Sequence, residues 1–444
     1  MASPRQRLRA RPARPAEKGR VASGGAIAEI EPFRALHYDP ATSGGLQDVV
    51  APPYDVIDGE QRAVLVARSP YNVVRIDLPE GGEDRYERAA EQLGAWRAEG
   101  VIVQDERPAL WALAQDYTGP DGRRRRRRGV FGRVLIEAYG AGRIRPHERT
   151  HPGPKEDRLR LTRATQVNLS PIFSLFSDPS GAVRSALDRT TSAVPWAQTA
   201  DDDGTVNRLW RVEERDAIAS AQEALRKAEL LIADGHHRYE TARVYADELG
   251  GSGAHRFVLM CLVALEDPGL TVFPTHRLVR GLAPEQHAAL AEVLGRDFEL
   301  DELQDPTQLA PEADERIQIG YVDSRFRKPF MLTLKDAAIA DAALAGHAEP
   351  YRRLDTAVLE ALILKGALGM SDDQIDHLEG LGYARDFDQA LELVNTSAYD
   401  AAFFMAPTPI EQVQAVAAAG ESMPPKSTYF FPKVPTGLLF NPLT

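Results

Sequence analysis

One segment constrains the fold more than any other part of the chain. An apolar run from Leu230 to Ala233 passes through Asp234 and Gly235 straight into a helical pattern that ends near Leu249. A short apolar run bounded by a turn indicates a buried strand, and glycine permits a tight turn into the helix. Free N–H groups and the positive dipole end at a helix N-terminus attract anions. The sequence therefore predicts a strand, turn and helix whose junction binds phosphate.

The side chains at this junction suit the same chemistry. Arg238 can offer a phosphate a bidentate pair of donors, and His236 or His237 can donate a hydrogen bond or carry a proton. Asp234 completes the polar set. The alternative is that Asp234 caps the helix while the histidines and Arg238 satisfy buried carbonyls or carboxylates.

A second polar cluster occupies residues 145–150 and 153–160. Glu148 is the candidate general base for phosphoryl transfer to a hydroxyl, and His147 is a second catalytic candidate. Lys155 and Arg158 are candidates for binding phosphate. The alternative for Glu148 is a structural pair with Arg145 or Arg149.

Residues 147–151 also match the H-E-x-x-H pattern of zinc proteases. The two histidines of that pattern face one metal only on a helix, and Pro152, Gly153 and Pro154 follow at once. We therefore expect any helix to end here and expect no zinc site. A metal-dependent hydrolase remains an alternative function.

Three further turns contain weaker candidates for phosphate-binding or substrate-binding residues. Lys426, Ser427 and Thr428 are potential loop donors to phosphate, although Pro425 stands where a P-loop needs glycine. Two other polar turns follow apolar segments, where α/β proteins commonly place ligands. They supply the candidate substrate-binding residues Tyr54, Asp55, His276 and Arg277. Ordinary structural turns are the alternative for all three.

The rest of the chain alternates strand and helix patterns, which predicts a mixed α/β fold. Residues 1–22 carry six arginines and little to bury, so we expect a disordered basic tail. Residues 71–78 read as a strand, and residues 110–117 and 130–139 as a hairpin. The arginine run 123–128 falls at the predicted exposed start of the second hairpin strand; a polyanion-binding patch is the alternative reading.

The amino-acid composition disfavours several classes of function. The net charge of −12 disfavours a nucleic-acid partner, because binding the phosphate backbone requires a dense cationic face. The single cysteine, Cys261, lies in an apolar run and is predicted to be a core residue. No stretch approaches the roughly 18 apolar residues of a membrane helix, so we expect a cytoplasmic protein with a small-molecule partner. A homodimer remains open.

Several longer motifs resemble one bacterial and archaeal family, domain of unknown function 1015 (DUF1015), from about residue 32 to residue 443. They are PFRAL (32–36), VAPPYDVI (50–57), YN (71–72), RPHERT (145–150), GPKEDR (153–158), NLSPI (168–172), ADGHHRYET (233–241) and MPPKSTYF (423–430).

The turn at residues 234–238 also resembles the signature of the wider ParB and sulfiredoxin-like superfamily, which includes free-serine kinases. The resemblance implies a ParB/sulfiredoxin-like nucleotide-binding core at residues 23–270 and a second α/β lobe at residues 271–444. It further implies a kinase that uses ADP, ATP or pyrophosphate with Mg²⁺, the metal being held through the donor phosphates rather than by a protein cage. The acceptor would be a small hydroxyl compound such as free L-serine. A non-catalytic nucleotide switch of the ParB type is the main alternative.

These expectations assign a role to each part of the site. The residues of the helix-opening turn, Gly235, His236, His237 and Arg238, would hold the donor phosphates. Lys155 and Arg158 would stabilise the transferred charge, and Glu148 would activate the acceptor hydroxyl.

Overall fold

The computed structural model describes residues 30–119, 122–139, 142–147, 152–314 and 316–444. Two separate β-sheets, each packed against helices, organise these residues, and the predicted mixed α/β class is confirmed. None of the helices in this part of the chain combines the length and apolarity needed to cross a membrane.

The strands in chain order are β1 (Ile30–Glu31), β2 (Leu36–Tyr38), β3 (Ile102–Gln104), β4 (Leu110–Thr118), β5 (Arg124–Leu135), β6 (Ile144–Arg145), β7 (Val167–Asn168), β8 (Ile172–Phe176), β9 (Ala197–Ala200), β10 (Val206–Val212), β11 (Leu230–Asp234), β12 (Phe257–Ala264), β13 (Thr271–Phe273), β14 (His276–Val279), β15 (Phe298–Glu302), β16 (Gln318–Asp323), β17 (Phe330–Leu334), β18 (Leu381–Ala384), β19 (Ala401–Phe404), β20 (Tyr429–Phe431) and β21 (Asn441–Pro442).

The helices are α1 (Pro40–Ser43), α2 (Gly59–Arg68), α3 (Val74–Asp77), α4 (Arg85–Ala98), α5 (Pro152–Thr165), α6 (Ala182–Thr191), α7 (Arg215–Leu225), α8 (His236–Leu249), α9 (Pro284–Asp297), α10 (Ala337–Ala343), α11 (Glu349–Arg352), α12 (Asp355–Val358), α13 (Asp372–Asp376), α14 (Phe387–Asn395) and α15 (Ile410–Ala418). A π-helix at Leu359–Ala367 continues α12.

The first sheet has the strand order β6-β11-β8-β12-β5-β4-β10-β9, with β1 added beside β5. It is mixed, because β8 pairs with β12 and β6 with β11 in parallel while the other pairs are antiparallel. Both faces are covered, and helices α6, α7 and α8 pack on one of them. The predicted hairpin is β4 and β5, and the predicted strand before Gly235 is β11. Cys261 is fully buried on β12, and burial raises the pKa of its thiol to about 12, as suits a core residue.

The second sheet uses later residues and is antiparallel, in the order β15-β17-β16-β19-β14-β18. After α15 the chain returns to the first sheet. Strand β20 pairs with β13, β21 pairs with β7, and the backbone of Phe440 bonds to that of Leu36. This return places residues 426–433 beside the end of β11, where the candidate site forms.

One local prediction was wrong. Residues 71–78 do not form a strand; they contain helix α3, in which the Asp77 N–H bonds to the Val73 carbonyl. A short and largely buried segment does not reveal its period from sequence alone. The prediction that Pro152 ends any helix over residues 147–151 falls on residues 148–151, which lie outside the described residues; Pro152 itself begins α5. Proline suits the first helical turn, where its missing N–H would have no partner in the helix.

Two smaller expectations also need correction. Thr408, Pro409 and Glu411 form a pattern typical of a capped helix start, but Thr408 does not cap α15; its hydroxyl donates to the Ser427 carbonyl, and Pro409 precedes the helix. Arg127, within the arginine run, is fully buried rather than exposed. Its guanidinium lies 4.5 Å from the Phe173 ring and donates to Gln115 and to the Pro432 carbonyl, so it supports the returning C-terminal segment.

Candidate phosphate-binding site

The junction of β11 and α8 has the predicted geometry. Gly235 adopts the left-handed conformation with φ of 94°, which glycine reaches without steric cost, and the helix begins at the next residue. Among the described residues no side chain caps this N-terminus. The N-terminus of α8, where the positive end of the helix dipole lies, is therefore a place that favours an anion.

Asp234 does not act as the helix cap. One of its carboxylate oxygens lies 2.6 Å from Lys433 Nζ, and the other accepts a hydrogen bond from Arg238. Burial alone would raise the pKa of this carboxyl group, but Lys433 and Arg238 outweigh burial and hold the pKa well below its usual range. Asp234 is therefore an anion that fixes two cations beside the helix start.

Arg238 is held mainly by the protein. Its Nη1 donates to Ser170 Oγ at 2.9 Å and to the Pro171 carbonyl, and its Nη2 donates to Asp234. A Cβ atom on Gly235 would lie 2.9 Å from Arg238 Nε, so glycine is also needed for this close packing. Most of the predicted phosphate fork is thus engaged within the protein, and Arg238 contributes to the site chiefly through its charge.

The two predicted catalytic histidines contact each other. His236 Nε2 accepts a hydrogen bond from the His147 backbone N–H at 3.3 Å, and the two rings lie 4.7 Å apart. Burial, and then the nearby His147, lower the pKa of His236 well below its ordinary value, so the ring stays neutral at pH 7. A neutral His236 whose Nε2 accepts a hydrogen bond carries its proton on Nδ1.

His147 is fully buried behind the cavity wall. Its Nδ1 lies 2.5 Å from the Ile232 carbonyl and its Nε2 lies 2.8 Å from Thr428 Oγ1. Both ring nitrogens are therefore engaged within the protein, and His147 links β11 to the returning C-terminal segment. Glu148, the predicted base, lies outside the described residues, as does His151 of the zinc-protease pattern. In the described ranges no group of three or more His, Cys, Asp or Glu side chains is arranged to hold a metal ion.

A cavity of about 670 Å³ opens in front of the α8 N-terminus. The predicted site residues that line it are Tyr54, Asp55, Asp234, Gly235, His236, His237, Arg238, Lys426 and Thr428. It also has residues that the sequence did not single out: Val56, Asp58, Ala233, Thr275, Tyr383, Arg385, Asp386, Gln389, Tyr429 and Lys433. Both sheets and their helices contribute, because Tyr383 belongs to β18 of the second sheet and Gln389 to α14.

The most important of the added residues are two cations. Arg385 and Lys433 lie 4.2 Å and 4.5 Å from the centre of the Tyr429 ring, in the range of cation–π contacts. With exposed Lys426, whose φ is 59°, they give the cavity three positive side chains besides Arg238. A sequence signal existed for Arg385, which stands between β18 and α14 as Gly235 stands between β11 and α8.

Besides His147, five predicted site residues lie outside the cavity lining. Arg158 is buried, pairs with Asp157 at 2.6 Å and Asp77 at 3.4 Å, and covers the Tyr54 ring at 4.2 Å. It therefore supports the cavity wall from behind. The other four residues are half-buried Lys155 on α5 and the buried residues Ser427, His276 and Arg277.

The contacts of the buried residues are structural. Ser427 Oγ donates to the Pro424 carbonyl at 2.7 Å, and Arg277 donates to the carbonyls of Thr275 and Pro425. His276 Nδ1 accepts the Met405 N–H at 3.2 Å. These side chains hold together the loops on which cavity residues lie.

His276 predicts an acid-sensitive contribution to stability. Burial first, and Arg277 second, lower its pKa to about 4, whereas the unfolded chain has a histidine pKa of about 6.5. Below pH 6.5 the unfolded state binds a proton that the folded state does not, so the free energy of unfolding falls as pH falls. At pH 4 we expect His276 alone to lower the free energy of unfolding by on the order of 3 kcal/mol.

The His276→Gln variant should lose less stability than the wild type when urea unfolding is compared at pH 7 and pH 4.5. His377→Gln is the matched control, because that histidine is exposed. Equal losses for the wild type and His276→Gln would contradict this assignment.

Three solved structures are similar to this chain at low sequence identity. Free serine kinase, in a mutant form in complex with ADP, is 14% identical over 68% of this chain and 87% of its own, with a TM-score of 0.36. A conserved hypothetical protein from Pyrococcus furiosus is 16% identical over 69% and 93%, with a TM-score of 0.36. C-terminally truncated SbnI from Staphylococcus aureus is 11% identical over 69% and 85%, also at 0.36.

No curated protein matches the chain. The sequence profile described as Protein of unknown function (DUF1015) matches residues 30–357, well over half of the chain. The chain therefore belongs to the DUF1015 family.

Proposed function

We propose that this protein is a small-molecule kinase that transfers a phosphoryl group from a nucleotide or pyrophosphate donor to the hydroxyl group of free L-serine. The observation that carries the proposal is the N-terminus of α8 after Gly235, which opens into a large cavity beside Lys426, Lys433 and Arg385. A helix N-terminus surrounded by cations favours phosphate over neutral ligands.

The cavity suits a phosphorylated donor in size and composition. Its volume of about 670 Å³ lies within the range of small-molecule and cofactor sites. Lys433 and Arg385 stand beside Tyr429, and Tyr383 lines the same cavity, so an aromatic surface lies next to the cationic one. We assign the phosphates to the helix start and its cations, and a nucleotide base to the aromatic side chains.

Mg²⁺ fits this site as a partner of the donor phosphates. Exposed Asp55 and Asp58 line the cavity and supply carboxylate oxygens, the ligand type that Mg²⁺ prefers. Because the described residues offer no cluster of three metal ligands, the phosphates would provide much of the coordination. When bound, the ion would neutralise charge on the donor.

In the transfer step, the serine oxygen forms a bond to the terminal phosphorus of the donor as the bond from that phosphorus to its bridging oxygen breaks. The hydroxyl proton passes to the Glu148 carboxylate, and the shortened donor leaves as the anion. Glu148 directly follows His147, whose N–H bonds to His236 at the cavity wall. We now assign stabilisation of the transferred charge to Lys426 and Lys433 instead of Lys155 and Arg158, because the latter pair lies outside the cavity lining.

Two substitutions separate catalysis from donor binding. Glu148→Gln should lower kcat by about 10²- to 10⁴-fold with little change in donor affinity, because it removes the proton acceptor. Arg238→Ala should weaken donor binding about 10- to 100-fold, since it removes charge from the helix start. Phosphoserine formation and calorimetric titration of the donor measure the two effects.

Glu156→Gln is the matched control for Glu148→Gln, because Glu156 is exposed on α5 and pairs with Arg160. If Glu148→Gln and Arg238→Ala both bound the donor and turned over like the wild type, the assignment of the active site to the α8 cavity would be wrong.

A further inference from the structure

A second cavity, of about 300 Å³, lies between the first sheet and α6. The sheet side of the cavity, its floor, includes small residues on three adjacent strands, Ala112 and Ala114 of β4, Gly129 of β5 and Ala264 of β12, beside larger ones such as Val130 and Trp210. Val183 and Leu187 of α6 line its other side and are almost fully buried. The small floor residues leave an apolar space under the helix that larger side chains would fill.

Arginines surround the mouth of this cavity and continue into an open groove on the same sheet face. Arg126, Arg128 and Arg208 line both the cavity and the groove, so the two spaces adjoin. Alternate residues of a strand share a face, which adds Arg124 to the row on β5. The register places Arg128 and Arg208 on either side of Ala114, directly above the apolar floor.

The carboxylates nearby leave part of this charge uncompensated. Asp116 forms ion pairs with both Arg126, at 2.5 Å, and Arg208. Arg128 is 3.9 Å from Asp267. Asp178 accepts the N–H groups of Ala182 and Val183 at the start of α6 and is engaged there.

Two further arginines add to the excess of positive charge. Arg124 in the groove and Arg184 on α6 have no ion-pair partner among the residues that the structure describes, although Asp188 also lines the cavity. The mouth therefore offers guanidinium groups in excess of the carboxylates that engage them.

We propose that this cavity binds a small anionic amphiphile, with a hydrocarbon chain beneath α6 and a phosphate or carboxylate head on Arg126, Arg128 and Arg208. The apolar floor and walls match the chain, and guanidinium groups match either head group. At roughly 30 Å³ per water-sized group, the space holds on the order of ten such groups. This binding site is separate from the α8 cavity and does not depend on the proposed kinase activity.

The test is calorimetric titration of the full chain with octyl phosphate, octanoate, 1-octanol and inorganic phosphate below their aggregation limits. We expect saturable 1:1 binding of at least one of the two octyl anions, about 100-fold tighter than that of inorganic phosphate or 1-octanol. A preference for octyl phosphate would identify a phosphate monoester, and a preference for octanoate a carboxylate. Inorganic phosphate also reports on the α8 cavity, so 1-octanol and the variants below decide the location.

The double variant Arg126→Gln and Arg128→Gln should weaken binding of the octyl anion at least about tenfold, and Ala114→Leu should do the same by filling the floor. Arg133→Gln on the same strand is the control for charge; it pairs with Glu31 away from the groove. Ala343→Leu on an exposed helix position is the control for size. The two arginines have half-exposed side chains, so their replacement tests the site even if Ala114→Leu does not fold. Absence of saturable binding, equal affinity for 1-octanol, or unchanged affinity in the arginine double variant would overturn the proposal.

Discussion

Replacing Lys433 with methionine is expected to weaken donor binding about 10- to 100-fold and to lower the free energy of unfolding by about 2–4 kcal/mol. Lys433 Nζ lies 2.6 Å from Asp234, and the two side chains are only 14% and 12% exposed. Methionine keeps the apolar stem but removes the charge, so Asp234 loses one of the two cations that hold its pKa low. The cavity loses a positive charge beside the helix start at the same time.

Lys328→Met is the matched control, because Lys328 forms an exposed pair with Glu302 at 2.8 Å and should contribute less than about 1 kcal/mol. The double variant with Asp234→Asn should be less destabilised than the sum of the two single variants, since removing both charges leaves neither unpaired. Urea unfolding and calorimetry measure these quantities. Additive losses, or unchanged donor affinity in Lys433→Met, would show that the pair does not organise the site.

Replacing Gly235 with alanine is expected to lower both stability and donor binding, and it is the second of the two largest expected effects. Its φ of 94° is unfavourable for any residue with a Cβ atom, and that atom would lie 2.9 Å from Arg238 Nε. We expect a loss of about 1–3 kcal/mol in stability from backbone strain alone. The shift of Arg238 that relieves the contact should further weaken donor binding about tenfold, by displacing charge from the helix start.

Gly100→Ala separates these two contributions. Gly100 has a φ of 74° after α4, but an added Cβ would meet no atom within 4 Å. It should therefore lose stability through strain without affecting donor binding. If Gly235→Ala bound donor as tightly as Gly100→Ala, close packing of Arg238 against Gly235 would not matter to the site.

The local part of the site could be predicted from the sequence, because it depends on neighbouring residues. A buried strand, a glycine in the left-handed conformation and a helix start follow one another in residues 230–249, and each leaves a local pattern. The partner of Asp234 does not, since Lys433 lies 199 residues further along the chain. Only the return of the C-terminal segment to the first sheet brings the two together.

Burial explains most of the other differences between sequence and structure. His276 and Arg277 stand at the end of an apolar segment and Arg158 lies in a polar run, and residues in either position suit a ligand site or an internal polar network. Their partners, such as the Met405 N–H for His276, lie far away in sequence, so local patterns do not separate the two cases. The same holds for buried Arg127 within a run of arginines that otherwise favours solvent.

The most direct test of the proposed kinase is a phosphorus NMR time course of the purified protein with Mg²⁺, L-serine and, in separate samples, ADP, ATP or pyrophosphate. We expect a phosphoserine signal to grow with at least one donor, at a rate that falls sharply in Glu148→Gln. No phosphoserine with any of the three donors would contradict the account. If a nucleotide still bound tightly to the α8 cavity under those conditions, the protein would instead be a non-catalytic nucleotide switch.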